Sequence, residues 1–168
     1  MFLLDTNILG LARRSKPHHR LSAWLDEQEC VAIPFPAILE IQRGIASLRE
    51  RDPSKALELT HWLDNILESE FEYPEITVAV ARLHGEMHCC RPLKQLWHVS
   101  QGRDTKPGQD LFIAAIAIVH NLPIATLDAG DFQRIDSYFP LPGVYHPVFR
   151  HWIVEPGTQE ASAACVAR

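Results

Sequence analysis

The chain has 168 residues, 46% apolar and 22% charged, an ordinary globular usage that argues against disorder over most of its length and suffices for one domain. Its net charge of −5 does not suit a simple basic nucleic-acid binder, yet leaves room for an acidic site, because bound cations invert the local charge. No apolar run reaches the length of a membrane span, and Met1-Phe2-Leu3-Leu4-Asp5 lacks the basic start and long apolar stretch of a secretory signal, so a cytoplasmic protein without membrane contact is expected, with Cys30, Cys89, Cys90 and Cys165 as reduced thiols.

Met1 to Leu4 reads as a short buried strand that runs into the polar turn Asp5-Thr6-Asn7. Ile8 to Arg14 opens a helix that stops before Pro17, and Leu21, Trp24 and Leu25 recur at the spacing of a second amphipathic helix. Cys30 to Ile33 reads as another buried strand, closed by Pro34 and Pro36. Ile38, Ile41, Ile45 and Leu48 then mark a helix. Asp52-Pro53 is a helix start, with Asp as the cap and Pro in the first turn, and the helix behind it carries Leu59, Trp62, Leu63, Ile66 and Leu67 on one side. Phe71 to Tyr73 suggests a short strand and Val78 to Met87 a helix. The stretch from His88 to Gly108 is expected as a long loop around a short helix. The cluster Met87-His88-Cys89-Cys90 lacks the paired spacing of a structural zinc site and reads as a helix end.

Leu111 to Val119 is apolar throughout and rich in Ala, which fits a helix buried all round and ended by Asn121. Pro123 to Leu127 is a buried strand that ends at Asp128; after Pro140 the pattern fades, and Thr158 to Arg168 reads as a disordered tail. Strands that are apolar throughout and alternate with helices predict an α/β fold, a central parallel sheet flanked by helices on both faces. Ligands of such folds bind beyond the carboxyl ends of the strands.

Acidic residues occupy those positions. Asp5 ends the first strand and Asp128 a late one, while Asp110 opens the most apolar helix. Glu40 falls beside the apolar stripe of its helix, on a face shared with Ala37 and Gly44, whose small size would allow close packing around a cleft. Carboxylates converging on one point repel one another, and Mg²⁺ or Mn²⁺, which prefer oxygen ligands, would relieve that repulsion. Each acid also has a purely structural reading: Asp5 and Asp110 as helix N-terminal groups, Asp128 as the start of the turn Asp128-Ala129-Gly130-Asp131. Glu40, set among Ala37, Ile38, Leu39 and Ile41, is the hardest to explain that way. His18, His19 and the other histidines follow no triad-like pattern. A phosphotransfer receiver is disfavoured because no strand-end Lys follows Asp110.

Four segments together resemble the PIN-domain family, and within it the toxins of VapBC-type toxin–antitoxin pairs: Leu3-Leu4-Asp5-Thr6-Asn7, Glu40-Ile41-Gln42-Arg43-Gly44, the stretch Asp110-Leu111-Phe112-Ile113-Ala114-Ala115, and Thr126-Leu127-Asp128 with Asp131-Phe132. The resemblance covers residues 1–142 as one nuclease domain, with 143–168 as a C-terminal extension. It implies a metal-dependent endoribonuclease that uses Mg²⁺ or Mn²⁺, forms a homodimer and is inhibited by a cognate antitoxin. It also implies Asp5, Glu40, Asp110 and Asp128 as catalytic metal ligands, with Asn7, Thr126 and Asp131 in support. The long 88–108 segment and the extension, with His146, Arg150, His151 and Trp152, depart from a compact toxin. The alternative is a non-catalytic module of the same fold that binds RNA or an antitoxin. Arg13, Arg14, Lys16 and Arg43 are candidate guides for the RNA backbone or else solvated surface.

Overall fold

Successive residues of a strand face opposite sides of the sheet, and the computed structural model of the protein follows that rule along its central strands. It describes residues 1–14, 16, 18–101 and 104–157. Strand β1 (Phe2–Leu4) leads into α1 (Thr6–Ala12) and α2 (His19–Asp26), and β2 (Val31–Ala32) into α3 (Phe35–Leu48) and α4 (Pro53–Leu67). Helix α5 (Val78–Cys89), a 3₁₀ helix (Arg91–Leu96) and a hairpin of β3 (His98–Gln101) with β4 (Asp104–Pro107) follow. The chain then forms α6 (Asp110–His120), β5 (Ile124–Ala125), α7 (Ala129–Asp136), β6 (Val144–His146) and β7 (His151–Val154).

The main sheet has the order β2-β1-β5-β6-β7. Its first four strands are parallel, with Leu3 opposite Ala32 and Ile124, and only the edge strand β7 is antiparallel. Leu3, Ile124 and Val144 face one core, filled by Leu111, Ile113 to Ala117 and Phe132. Leu4, Val31 and Ala125 face a second core with Ile8, Leu21, Trp24 and Ala37. Helices therefore cover both faces, as the apolar strands require. Among the described residues no helix is long and apolar enough to cross a membrane.

Several local expectations are realised with a stated cause. Asp52 caps α4, its carboxylate accepting the Lys55 N–H at 2.9 Å. Asn121 ends α6 in the left-handed conformation, φ 52°, which Asn tolerates better than most residues. Met87 is buried on α5 while Cys89 is exposed, and the His88 and His84 rings meet at 3.0 Å between their Nε2 atoms.

Other expectations shift. Pro36 does not close a strand; it sits buried in the first turn of α3, where its missing N–H costs nothing. The expected strand over Phe71 to Tyr73 reduces to a single bridge between Glu72 and Ala32. The 88–108 segment holds its short helix but also the β3–β4 hairpin, built from mostly polar residues that carry no strand pattern. Asp128 to Asp131 is the cap and first turn of α7 rather than a free turn. After Pro140 the chain re-enters the sheet: the N–H groups of Ile124 and Thr126 bond to the carbonyls of Gly143 and Tyr145 at 2.9 and 3.0 Å. Strands this short are too brief to show a period. The expected tail of 158–168, with Cys165, lies outside the described residues.

Candidate active site

Parallel strands bring their carboxyl ends to one side of a sheet, and Asp5 follows β1 there directly. Asp5, Thr6, Asn7, Glu40, Asp110, Asp128, Asp131 and Phe132 line a single pocket of about 360 Å³. The four acids singled out in the sequence thus meet, although 123 positions separate the first from the last. Asp131 and Asn7 join them directly. Thr126 lies beneath, fully buried and bonded to Asp5.

The hydrogen bonds specify how Asp5 is held. Its Oδ2 accepts the Thr126 hydroxyl at 2.7 Å and the Asn7 side-chain amide at 2.7 Å. Asn7 also accepts the Leu127 N–H at 3.2 Å, and the Asp128 N–H donates to the Thr126 oxygen at 3.0 Å. Two chain segments are tied through one carboxylate. Asp5 occupies the cap position of α1 without a side-chain capping bond; the Thr126 and Asn7 side chains hold its carboxylate instead. Asp128 likewise stands at the cap position of α7 without a side-chain capping bond, and it is exposed.

Burial dominates the electrostatics. Asp5 is only 6% exposed, and desolvation pushes its carboxyl up to about 6 despite the hydrogen bonds from Thr126 and Thr6; the charges of Glu40 and Asp128 add to the rise. Asp110 is pushed up to about 7, again by burial first, then by Asp5, Asp131, Glu40 and Asp128. Asp131 is raised by partial burial and by Asp128, against the pull of Arg134. Several carboxyls raised together at one site mark a candidate functional cluster.

The donor set is all oxygen, as Mg²⁺ and Mn²⁺ require. The Thr6 hydroxyl, buried on the same pocket wall, has no hydrogen-bond partner among the described residues. Among those residues no three His, Cys, Asp or Glu groups are drawn tightly enough together to enclose an ion. The residues fit an oxygen-liganded cation in chemistry, with the acids spaced around the pocket rather than closed on a point.

Two wall residues, Thr6 and Phe132, lie in the sequence motifs without a site role there; Phe132, 1% exposed, gives the pocket an apolar wall beside the acids. The expected close packing at Gly44 is absent: Gly44 is exposed, and an added Cβ would meet open space. Arg13, Arg14 and Lys16 gather with Lys55 around a separate surface hollow that shares no residue with the acidic pocket. Arg13 is held there by the Trp62 ring and by Glu58 at 3.9 Å. A further hollow of about 320 Å³ lies among Leu4, Ile8, Leu25, Trp62 and Phe71. Its floor is mainly apolar, and Asp26, Glu29, Cys30 and Glu70 also line it.

The PIN domain family model matches residues 2–138. Toxin FitB of Neisseria gonorrhoeae is 27% identical over 143 residues, which cover 81% of this chain and 94% of the relative. Ribonuclease VapC14 of Mycobacterium tuberculosis is 33% identical over 69 residues, 38% of this chain and 64% of the relative. The crystal structure of FitAcB from Neisseria gonorrhoeae superposes with a TM-score of 0.52 at 26% identity, covering 88% of this chain and 98% of that one.

Proposed function

The chain belongs to the PIN domain family, and from that premise we propose that it is a divalent-metal-dependent endoribonuclease, the toxin of a toxin–antitoxin pair. One observation carries the reading: five carboxylates, Asp5, Glu40, Asp110, Asp128 and Asp131, line one pocket. A likeness to a protein named ribonuclease and another named toxin supports it.

Asp5, Glu40, Asp110 and Asp128 would hold Mg²⁺ or Mn²⁺. Such an ion, when bound, supplies the positive charge that admits a phosphodiester to an acidic pocket and makes a water acidic enough to attack phosphorus near neutral pH. The chain's own groups do the positioning. Thr126 and Asn7 fix the Asp5 carboxylate from below through the two 2.7 Å bonds to Oδ2. Asn7, bonded to the Leu127 backbone, keeps the β1 and β5 ends in register. Phe132 excludes water from the pocket base. Asp131, partly paired with Arg134 at 3.8 Å, supplies a further negative edge. A small antitoxin and a second copy of the chain are the proposed protein partners.

The test is cleavage of a mixed pool of single-stranded RNAs by the purified chain. Mn²⁺ should support cleavage, EDTA should stop it, and Asp5→Asn should remove it while the protein stays folded. Cleavage that persists in the Asp5→Asn protein would discredit the assigned site. Binding of RNA without cleavage in any metal would favour the non-catalytic module. Light scattering of the purified chain reads the oligomer size.

A further inference from the structure

The turn between β6 and β7 presents aromatic rings on the same side of the sheet as the acids. Strands β1, β5 and β6 are parallel and adjacent, so their carboxyl ends open together. Asp128 stands three residues past the end of β5, and Phe149 three residues past the end of β6. The two neighbourhoods share an element. A hollow of about 460 Å³ runs from Ala129 and Gln133 on α7 to His146, Phe149, His151 and Trp152. Ala129 directly follows Asp128 in the chain.

The rings are aligned and held. Phe149 is 66% exposed. Its ring lies 4.5 Å from that of His146 at 28°, and 6.2 Å from that of His151 at 26°, while the two imidazoles are within 5° of parallel. The Phe149 N–H donates to His146 Nδ1 at 3.3 Å, and the Arg150 N–H to the His146 carbonyl at 2.8 Å. Arg150 takes the left-handed conformation, φ 54°, and its guanidinium meets Glu27 at 2.7 Å. An exposed aromatic ring alone signifies little. Here the ring is stacked beside two imidazoles on a hydrogen-bonded turn, one strand away from a pocket suited to phosphodiester chemistry.

We infer that the β6–β7 turn is a stacking subsite for one base of a single-stranded RNA whose backbone enters the acidic pocket. The inference rests on the nuclease reading and adds to it a strand-separated substrate. Base stacking on an aromatic plane tolerates any sequence but needs an unpaired base, because a base inside a duplex already has both faces covered. An acidic protein gains most from such a contact, since it draws on the base and not on the phosphate charge. Phe149 lies beyond residues 2–138 that match the family model, so none of the four motifs includes it.

The test is binding of fluorescein-labelled twelve-nucleotide oligo(A), of the same length of abasic RNA backbone, and of an oligo(A)·oligo(U) duplex. Each is measured by anisotropy with Mg²⁺ and checked intact on a gel. The full-length protein should bind oligo(A) more tightly than the abasic strand or the duplex. Phe149→Ala should weaken oligo(A) binding about tenfold, the typical worth of one stacked base, and leave abasic binding as it was. Phe149→Trp should restore it and Phe149→Leu should not, which separates stacking from general packing. Equal affinity of wild type, Ala and Trp proteins for oligo(A) would overturn the inference. Should the protein cut the RNA pool yet show no preference for oligo(A) over the abasic strand, the subsite falls and the nuclease reading stands. If no RNA is cut or bound, both fall.

Discussion

Replacing Asp5 by Asn should make the metal-free protein more stable at pH 8 while abolishing its activity. The carboxyl is 6% exposed and pushed up from 3.8 to about 6. A pKa raised on folding means that the folded state holds its proton more tightly than the unfolded chain does. That contribution favours the fold fully below about pH 4 and is lost as pH rises through about 6. At about 1.4 kcal/mol per pH unit, the buried charge costs ~3 kcal/mol at pH 8. Asn is nearly isosteric, and its carbonyl oxygen can still accept from Thr126 and Asn7, so little else is lost. For a domain of this size, ~1 kcal/mol moves the melting temperature by about 2–4 °C. Thermal melts in EDTA at pH 8 should place Asp5→Asn above wild type by as much as about 10 °C, and the gap should close toward pH 4. Added Mn²⁺ should narrow or reverse the order, because an ion that binds only the folded wild type stabilises it by mass action. Parallel melting curves for the two proteins from pH 4 to pH 8 in EDTA would refute the reasoning, since Asp5 would then not be a desolvated charge.

At limiting Mn²⁺, cleavage should climb between about pH 5 and pH 8 as Asp5 and Asp110, raised to about 6 and 7, lose their protons; a flat profile would count against both acids. Asp110→Asn should lower kcat/KM by more than about a hundredfold, because even groups that only support a metal ligand are worth 10–100-fold; initial rates on the RNA pool measure it. Thr126→Val removes the 2.7 Å bond to Asp5 and leaves a buried acceptor short of a partner, so urea denaturation should show a loss of ~1–3 kcal/mol and the pH–rate curve should move to higher pH. Gly143 adopts φ 148°, and a Cβ there would stand 2.9 Å from the Trp152 ring. Gly143→Ala should therefore cost about 2 kcal/mol or more in the same experiment, and an unchanged midpoint would show that the β6–β7 edge relaxes freely.

The sheet, its two covered faces and the acids at its open side were legible in the sequence because each left a local mark. Leu3-Leu4 and Ile124-Ala125 are apolar on both sides of the pleat, which only a buried parallel strand tolerates. The apolar run of α6 has no polar face to offer solvent, and Asp52 and Asn121 are caps that a short stretch of chain dictates. The late strands left no such mark. Val144–His146 becomes a strand by pairing with β5, and His151–Val154 by pairing in turn with β6, long-range causes that no window of sequence contains. The hairpin of His98–Gln101 with Asp104–Pro107 is similarly polar and silent.

Chemistry written into single side chains was thus determined by the sequence: which acids exist, and which stretches must be buried. Their mutual placement belongs to the tertiary fold. Only folding brings Thr126 under Asp5 across 121 positions, buries Asp5 and Asp110 deeply enough to raise their pKa values, and turns Phe149 toward the side of the sheet where the acids lie. Desolvation and Coulomb repulsion depend on distance in space, and the order of residues along a chain does not specify that distance until the sheet is assembled.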